Sequence, residues 1–161
     1  MPVIGGQALF HGFQHAVQQQ RLATLAQPEH AQQRGRLPWP LKGPLLARYG
    51  EDKADPRLSW KGLWIGADEG TPVRAVARGR VAYTGWMSRY GLIVVLEHEN
   101  GYLTLYGHAA TSTRSTGETV AAGDVIATAG DTGGYDKPGL YFEIRKGTDP
   151  LNPRDWLRPA Q

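Results

Sequence analysis

The chain has 161 residues, enough for one domain with a real core plus an extension, and a formal charge of +3 at neutral pH. Its 18 Lys and Arg residues are scattered rather than gathered into a stripe, which argues against a nucleic-acid binder, and the absence of cysteine excludes disulfides and thiolate metal sites. With 21 glycines and 11 prolines bounding short apolar runs, the composition favours a mainly β domain over a helical bundle.

In chain order, the first 34 residues stand apart. Residues 7–27 are rich in Gln, Ala and Leu and carry Phe10, Phe13 and Val17 at spacings of three and four, which predicts a moderately amphipathic helix broken at Pro28. "PEHAQQRGR" then reads as a linker. His11 and His15 are four apart, but the stretch is "HGFQH", without the glutamate of a helical zinc motif, so they read as a polar helix face. The chain divides into an arm and linker over 1–34 and a domain over 35–161. "MPVIGGQALF" lacks the charged and long apolar regions of a signal peptide, and no apolar run reaches membrane-spanning length. The expectation is either a cytoplasmic protein or a fragment or processed product of a longer one.

"LPWPLKGPLLARYG" (37–50), with three prolines, predicts an extended opening segment that packs Trp39 on the domain. Strand follows strand from there. "TPVRAVARGRVAYTGW" alternates through Val73, Ala75 and Ala77, turns at Gly79 and resumes at Val81 and Tyr83. "GLIVVLEH" and "YLTLYGH" flank Asn100-Gly101, a strong hairpin signal. "GTPVRAVARGRV" (70–81) and "GETVAAGDVIAT" (117–128) echo one another, each an extended segment that turns and re-enters a sheet. The last strand is expected at 140–145, where alternation puts Gly139, Tyr141, Glu143 and Arg145 on one face and Leu140, Phe142 and Ile144 on the other. Trp156 and Leu157 then close the domain.

Candidates for chemistry are few. Outside the extension, which also holds His30, the histidines are His98 and His108, at the ends of the two hairpin strands. Two imidazoles fall one short of the three protein ligands of a catalytic zinc, and no carboxylate lies at a compelling spacing. No nucleophile elbow, phosphate-binding loop or paired-carboxylate arrangement is present.

The landmarks "KGLWIGADEGTPVRAVARGRVAYTGW", "YGLIVVLEHENGYLTLYGH", "GETVAAGDVIATAG" and "LYFEIR", in this order across residues 39–157, resemble a LytM domain, the lysostaphin-type zinc endopeptidase fold. The resemblance implies an antiparallel β-sheet domain with a central groove. In active members zinc is held by the His and Asp of H-x-x-x-D and the second His of H-x-H; the first His of H-x-H and a further histidine assist. Carried onto this chain, those positions are Trp60 and Trp64, Gly139 and Tyr141, and His108, which alone keeps its histidine. The resemblance therefore implies no metal, no cofactor and no hydrolysis, because indole cannot ligate zinc and a neutral phenol is a poor ligand.

Among LytM-like proteins, the "RLPWPLKGPLL" opening, "WKG" and "LYFEIR" most resemble the EnvC-type murein hydrolase activators. That implies a non-catalytic periplasmic domain that binds and activates N-acetylmuramoyl-L-alanine amidases, which split septal peptidoglycan during daughter-cell separation. It further implies recruitment to FtsEX through an upstream coiled coil outside this chain. By family position, a regulatory helix of the amidase would lie against Lys61, Trp64, Tyr90, Ile93, Tyr141 and Arg145. The residues themselves point to Lys61, Trp64, Tyr141 and Arg145 as an aromatic centre with a polar rim, one tryptophan plugging the vacated pocket and the other exposed. An arm anchored by Phe10, Phe13 and Val17 would compete for the same groove. The alternatives are a peptidoglycan-binding module, and a zinc endopeptidase with a non-standard site built on His98, His108 and a carboxylate.

Overall fold

The computed structural model describes residues 34–51, 60–133 and 137–159. The expected helix with Phe10, Phe13 and Val17 lies outside the described residues. Among those described, the chain is built from strands: β1 (Leu45–Ala47), β2 (Leu63–Gly66), β3 (Pro72–Arg74), β4 (Gly79–Met87), β5 (Gly91–Glu97), β6 (Tyr102–Ala109), β7 (Thr111–Ser112), β8 (Thr119–Val120), β9 (Val125–Thr128), β10 (Gly139–Lys146) and β11 (Asp149–Leu151). The mainly antiparallel β fold expected from the sequence is the fold found.

The large sheet runs β1-β2-β10-β6-β5-β4-β8, with β11 folded back on β10; a small sheet runs β3-β9-β7. Two local devices set the centre. The β5–β6 hairpin turns on Asn100 and Gly101, both at positive φ (61° and 81°), the conformation an Asn-Gly turn supplies. β10 pairs with β6 on one side and β2 on the other, so Tyr141 lies opposite Gly107 and also opposite Trp64. The two echoing segments pair with each other: β3 with β9, and β4 with β8.

Alternation decides which side chains meet. Leu63 and Ile65 of β2, Val94 and Leu96 of β5, Tyr106 of β6, and Leu140, Phe142 and Ile144 of β10 all enter one core, closed from the other side by Val73, Ile126 and Ala127 of the small sheet. The opposite face of the large sheet carries a second apolar group, Met87, Ile93, Val95, Leu103 and Leu105, and a third, Ala47, Trp64 and Tyr141.

Two expectations need correction. The opening segment is not merely extended, since Leu45–Ala47 pairs with β2 as the sheet edge. The strand at 140–145 is not the last; Asp149–Leu151 returns as β11 against Ile144–Lys146. Pro150 hid it, because a proline in a three-residue strand reads as a breaker unless the strand lies at an edge. Trp39 does pack on the core, with its indole N–H donating to the Arg158 carbonyl at 2.8 Å.

Candidate binding groove

The residues singled out from the sequence lie in different strands, and the sheet brings them together. Trp60 comes from the segment before β2, Trp64 from β2, Tyr90 from the β4–β5 turn, His108 from the end of β6, and Tyr141, Glu143 and Arg145 from one face of β10. Tyr141 sits at their centre. Its ring centroid is 5.9 Å from Trp60, 5.9 Å from Tyr90 and 6.0 Å from His108, while Trp64 meets His108 edge-on at 5.6 Å. These separations are those of favourable tilted and edge-to-face aromatic pairs. Trp64 is buried and Trp60 half-buried, so Trp64 fills the pocket and Trp60 borders it. Lys61 is exposed beside them.

Gly107 lies against the rings: a Cβ there would be in ordinary contact with the Tyr141 ring at 3.6 Å and tight only against the Tyr90 carbonyl oxygen, at 3.3 Å. Gly139 is more constrained still, since a Cβ would fall 2.2 Å from the Ile65 carbonyl oxygen. This backbone has no space for a histidine at that position. Ile93 is wholly buried among Val95, Leu103 and Leu105, so it supports the face from beneath.

Beneath the rings lies a polar network with one anion at its hub. Glu143, 1% exposed, accepts from the Tyr141 hydroxyl (2.5 Å) and the Tyr90 hydroxyl (3.1 Å) on one oxygen, and from Arg145 Nε (2.7 Å) on the other. Arg145 also donates to the Thr148 carbonyl (3.0 Å) and to the Tyr90 hydroxyl (3.3 Å). Burial, and then the Glu143 charge, push both phenols far up, so they stay protonated and donate. Burial alone would lower the Arg145 guanidinium, but Glu143 and Tyr90 outweigh it and hold it charged. The sequence pattern already puts Glu143 on this face. Its signal was its position between two candidate groove residues at period two.

His108 is fixed by its backbone and its ring. It has a positive φ of 58°, its N–H donates to the Tyr90 carbonyl at 2.6 Å, and Nδ1 bonds the Thr132 carbonyl. His98 lies elsewhere: it follows β5 at the hairpin turn, whereas His108 sits where β6 nears Leu92, about 20 Å away along the strand. The two cannot share an ion, which removes the zinc site based on them.

The donors in the groove do not fit zinc. The indoles offer no lone pair, the phenols are held neutral, Glu143 has both oxygens engaged, and one imidazole remains. Among the described residues no three His, Asp or Glu side chains lie together as a metal site. None of the helices described is long and apolar enough to cross a membrane.

The model of Peptidase family M23 matches residues 58–153. The chain is 48% identical over 124 residues to the murein hydrolase activator EnvC of Escherichia coli K12, covering 77% of this chain and 29% of that protein. It is 33% identical over 129 residues to the cell division protein DipM of Caulobacter vibrioides, covering 77% and 21%. The chain thus spans less than a third of either relative. Among solved structures, a zinc containing peptidase from Vibrio cholerae superposes with a TM-score of 0.70 over 76% of this chain and 40% of that one, at 24% identity, a likeness of fold.

Proposed function

This chain belongs to peptidase family M23, and we propose that its peptidase groove has become a receptor: the domain is a non-catalytic activator of periplasmic N-acetylmuramoyl-L-alanine amidases in septal peptidoglycan splitting. The observation that carries this reading is the groove itself. Trp60, Trp64, Tyr90, His108 and Tyr141 pack where the family resemblance places the zinc machinery, over a carboxylate already committed to three donors. An aromatic centre with Lys61 and Arg145 at its margin suits the apolar face of an amphipathic helix. The E. coli relative's name as a murein hydrolase activator and the Caulobacter relative's as a cell division protein support the setting.

In this reading Lys61, Tyr90 and Arg145 meet a regulatory helix of the amidase over Trp64 and Tyr141, which are almost wholly buried, and Ile93 backs them. Capture of that helix away from the amidase active site shifts the enzyme toward its open state. The segment over 1–34 acts as a brake, presenting Phe10, Phe13 and Val17 to the same groove, and FtsEX acts through regions upstream of this chain.

The test is dye release from labelled sacculi with this chain, a periplasmic amidase encoded by the same genome, and both. Release is expected only in the mixture, stronger for a chain starting at Arg36, and lost with Tyr141→Ala or Arg145→Glu. Chelator-sensitive release by the chain alone would establish an active peptidase instead. Pelleting of the chain with sacculi and no stimulation would establish a peptidoglycan-binding module.

A further inference from the structure

A buried ion pair beside an apolar group calls for an explanation. Glu143 lies directly opposite Leu105 on β6, with Arg145 opposite Leu103, and both leucines belong to the apolar group with Ile93 and Val95. Apolar residues at both 143 and 145 would extend that group and avoid the desolvation of an ion pair. Stability alone therefore does not account for a glutamate here.

What the carboxylate does is join residues that the sequence keeps apart. Tyr90 is 53 positions from Glu143, on a different hairpin. Because Arg145 can only donate and the carboxylate can only accept, the Tyr90 hydroxyl accepts from Arg145 Nη2 and passes its own proton to Glu143 Oε2, which closes a ring of Arg145, Tyr90 and Glu143. Tyr141 adds a third donor to the same anion. A metal centre gathers lone pairs around a cation; this groove gathers N–H and O–H donors around an anion. The polarity of the site is reversed, and a hub is kept.

We infer that Glu143 is the positioning residue of the groove, holding Tyr90, Tyr141 and Arg145 in the single arrangement that an amidase helix recognises. This rests on the activator reading above. Glu143 itself is buried beneath the rings and acts through them. Preorganising three contacts removes the ordering cost that a helix would otherwise meet on binding.

Substitutions in the full chain test the role. In Glu143→Gln one carboxylate oxygen becomes an NH₂ that faces either Arg145 Nε–H or the two phenols, so one arm of the network breaks. Glu143→Leu removes the hub and suits Leu105 across the strand. Both variants are expected to melt cooperatively but below the parent, since each takes an acceptor from buried donors, so stimulation is compared at a temperature where all are folded. Glu143→Asp keeps the anion but not the volume and Glu143→Gln the volume but not the anion, so stimulation should be higher in Glu143→Asp, an order that a packing role would reverse. Stimulation of the same-genome amidase should fall roughly tenfold or more in Glu143→Gln and Glu143→Leu. The inference is overturned if both stimulate within about twofold of the parent while Tyr141→Ala abolishes stimulation, which would leave the groove reading standing. If Tyr141→Ala also stimulates normally, the groove reading has failed and the positioning role fails with it.

Discussion

At the scale of single residues, His98 shows how a histidine in a peptidase-type fold can be wholly structural. Its Nδ1 lies 2.7 Å from the Arg78 carbonyl and its Nε2 2.7 Å from the Thr104 hydroxyl, which is 3.0 Å from the Tyr106 hydroxyl. The carbonyl can only accept, so Nδ1 carries the proton. At the far end the Val76 N–H donates to the Tyr106 oxygen. The ring and both hydroxyls are buried, so a second proton on the imidazole would be a charge held away from water. Burial accordingly lowers the His98 pKa to about 4, only partly offset by the Arg78 bond. Since the unfolded chain takes up this proton near pH 6.5, stability on this account is complete above that value and is lost as the pH falls toward 4. Between pH 7 and 4.5 the loss should be about 2 to 3 kcal/mol. Urea midpoints of the parent and of His98→Gln at the two pH values measure it. An equal pH dependence in both would show that His98 does not carry the effect.

At the scale of elements, two hairpins separate the cost of a backbone angle from the cost of a collision. Gly101 has φ +81° and open space where a Cβ would stand. Gly91, at the β4–β5 turn, has φ +64° and a Cβ position only 2.5 Å from the Thr132 carbonyl oxygen. Gly101→Ala should therefore cost about 1 kcal/mol, the left-handed penalty alone. Gly91→Ala should cost roughly 3 kcal/mol or more, because the Thr132 backbone must also move. It should also weaken amidase stimulation, since Gly91 follows Tyr90, whose hydroxyl joins Glu143. Similar urea midpoints for the two variants would contradict the division.

These elements also show what the sequence could tell. The period-two pattern of β10 divided its side chains correctly between core and groove, since every one-residue slip would have buried Arg145 in place of Ile144. The Asn100-Gly101 turn was legible because its chemistry is local. β1 and β11 were not, since three-residue strands beside proline exist only through the neighbours they pair with. Glu143 was visible on its face, but its ring with Tyr90 depends on the β10-β6-β5-β4 strand order, which no local pattern carries. Of the arm and linker over 1–34, only Arg34 lies among the described residues.

At the scale of the molecule, the two ends of the domain are clasped. Leu37 N–H donates to the Trp156 carbonyl at 3.0 Å and Arg158 N–H to the Leu37 carbonyl at 2.8 Å, while Leu37, Trp156 and Leu157 share the main core. Trp156 meets Tyr102 edge-on at 5.0 Å, and Arg34 lies over its ring. The matched family segment stops at residue 153, so this clasp lies at its margin and adds to it. Trp156→Ala should cost about 3 to 5 kcal/mol for the lost indole and the cavity it leaves. Where that cost falls in the kinetics follows from topology. The β4–β5 and β5–β6 hairpins close over short loops, whereas the clasp joins residues more than a hundred positions apart and must await the rest of the sheet. An interaction that forms after the transition state changes unfolding and leaves folding almost untouched. Trp156→Ala should then unfold about a hundredfold faster or more, with a folding rate within about twofold of the parent in stopped-flow chevrons. A slowed folding limb with unchanged unfolding would mean instead that the ends of the domain meet early and nucleate the sheet around the groove.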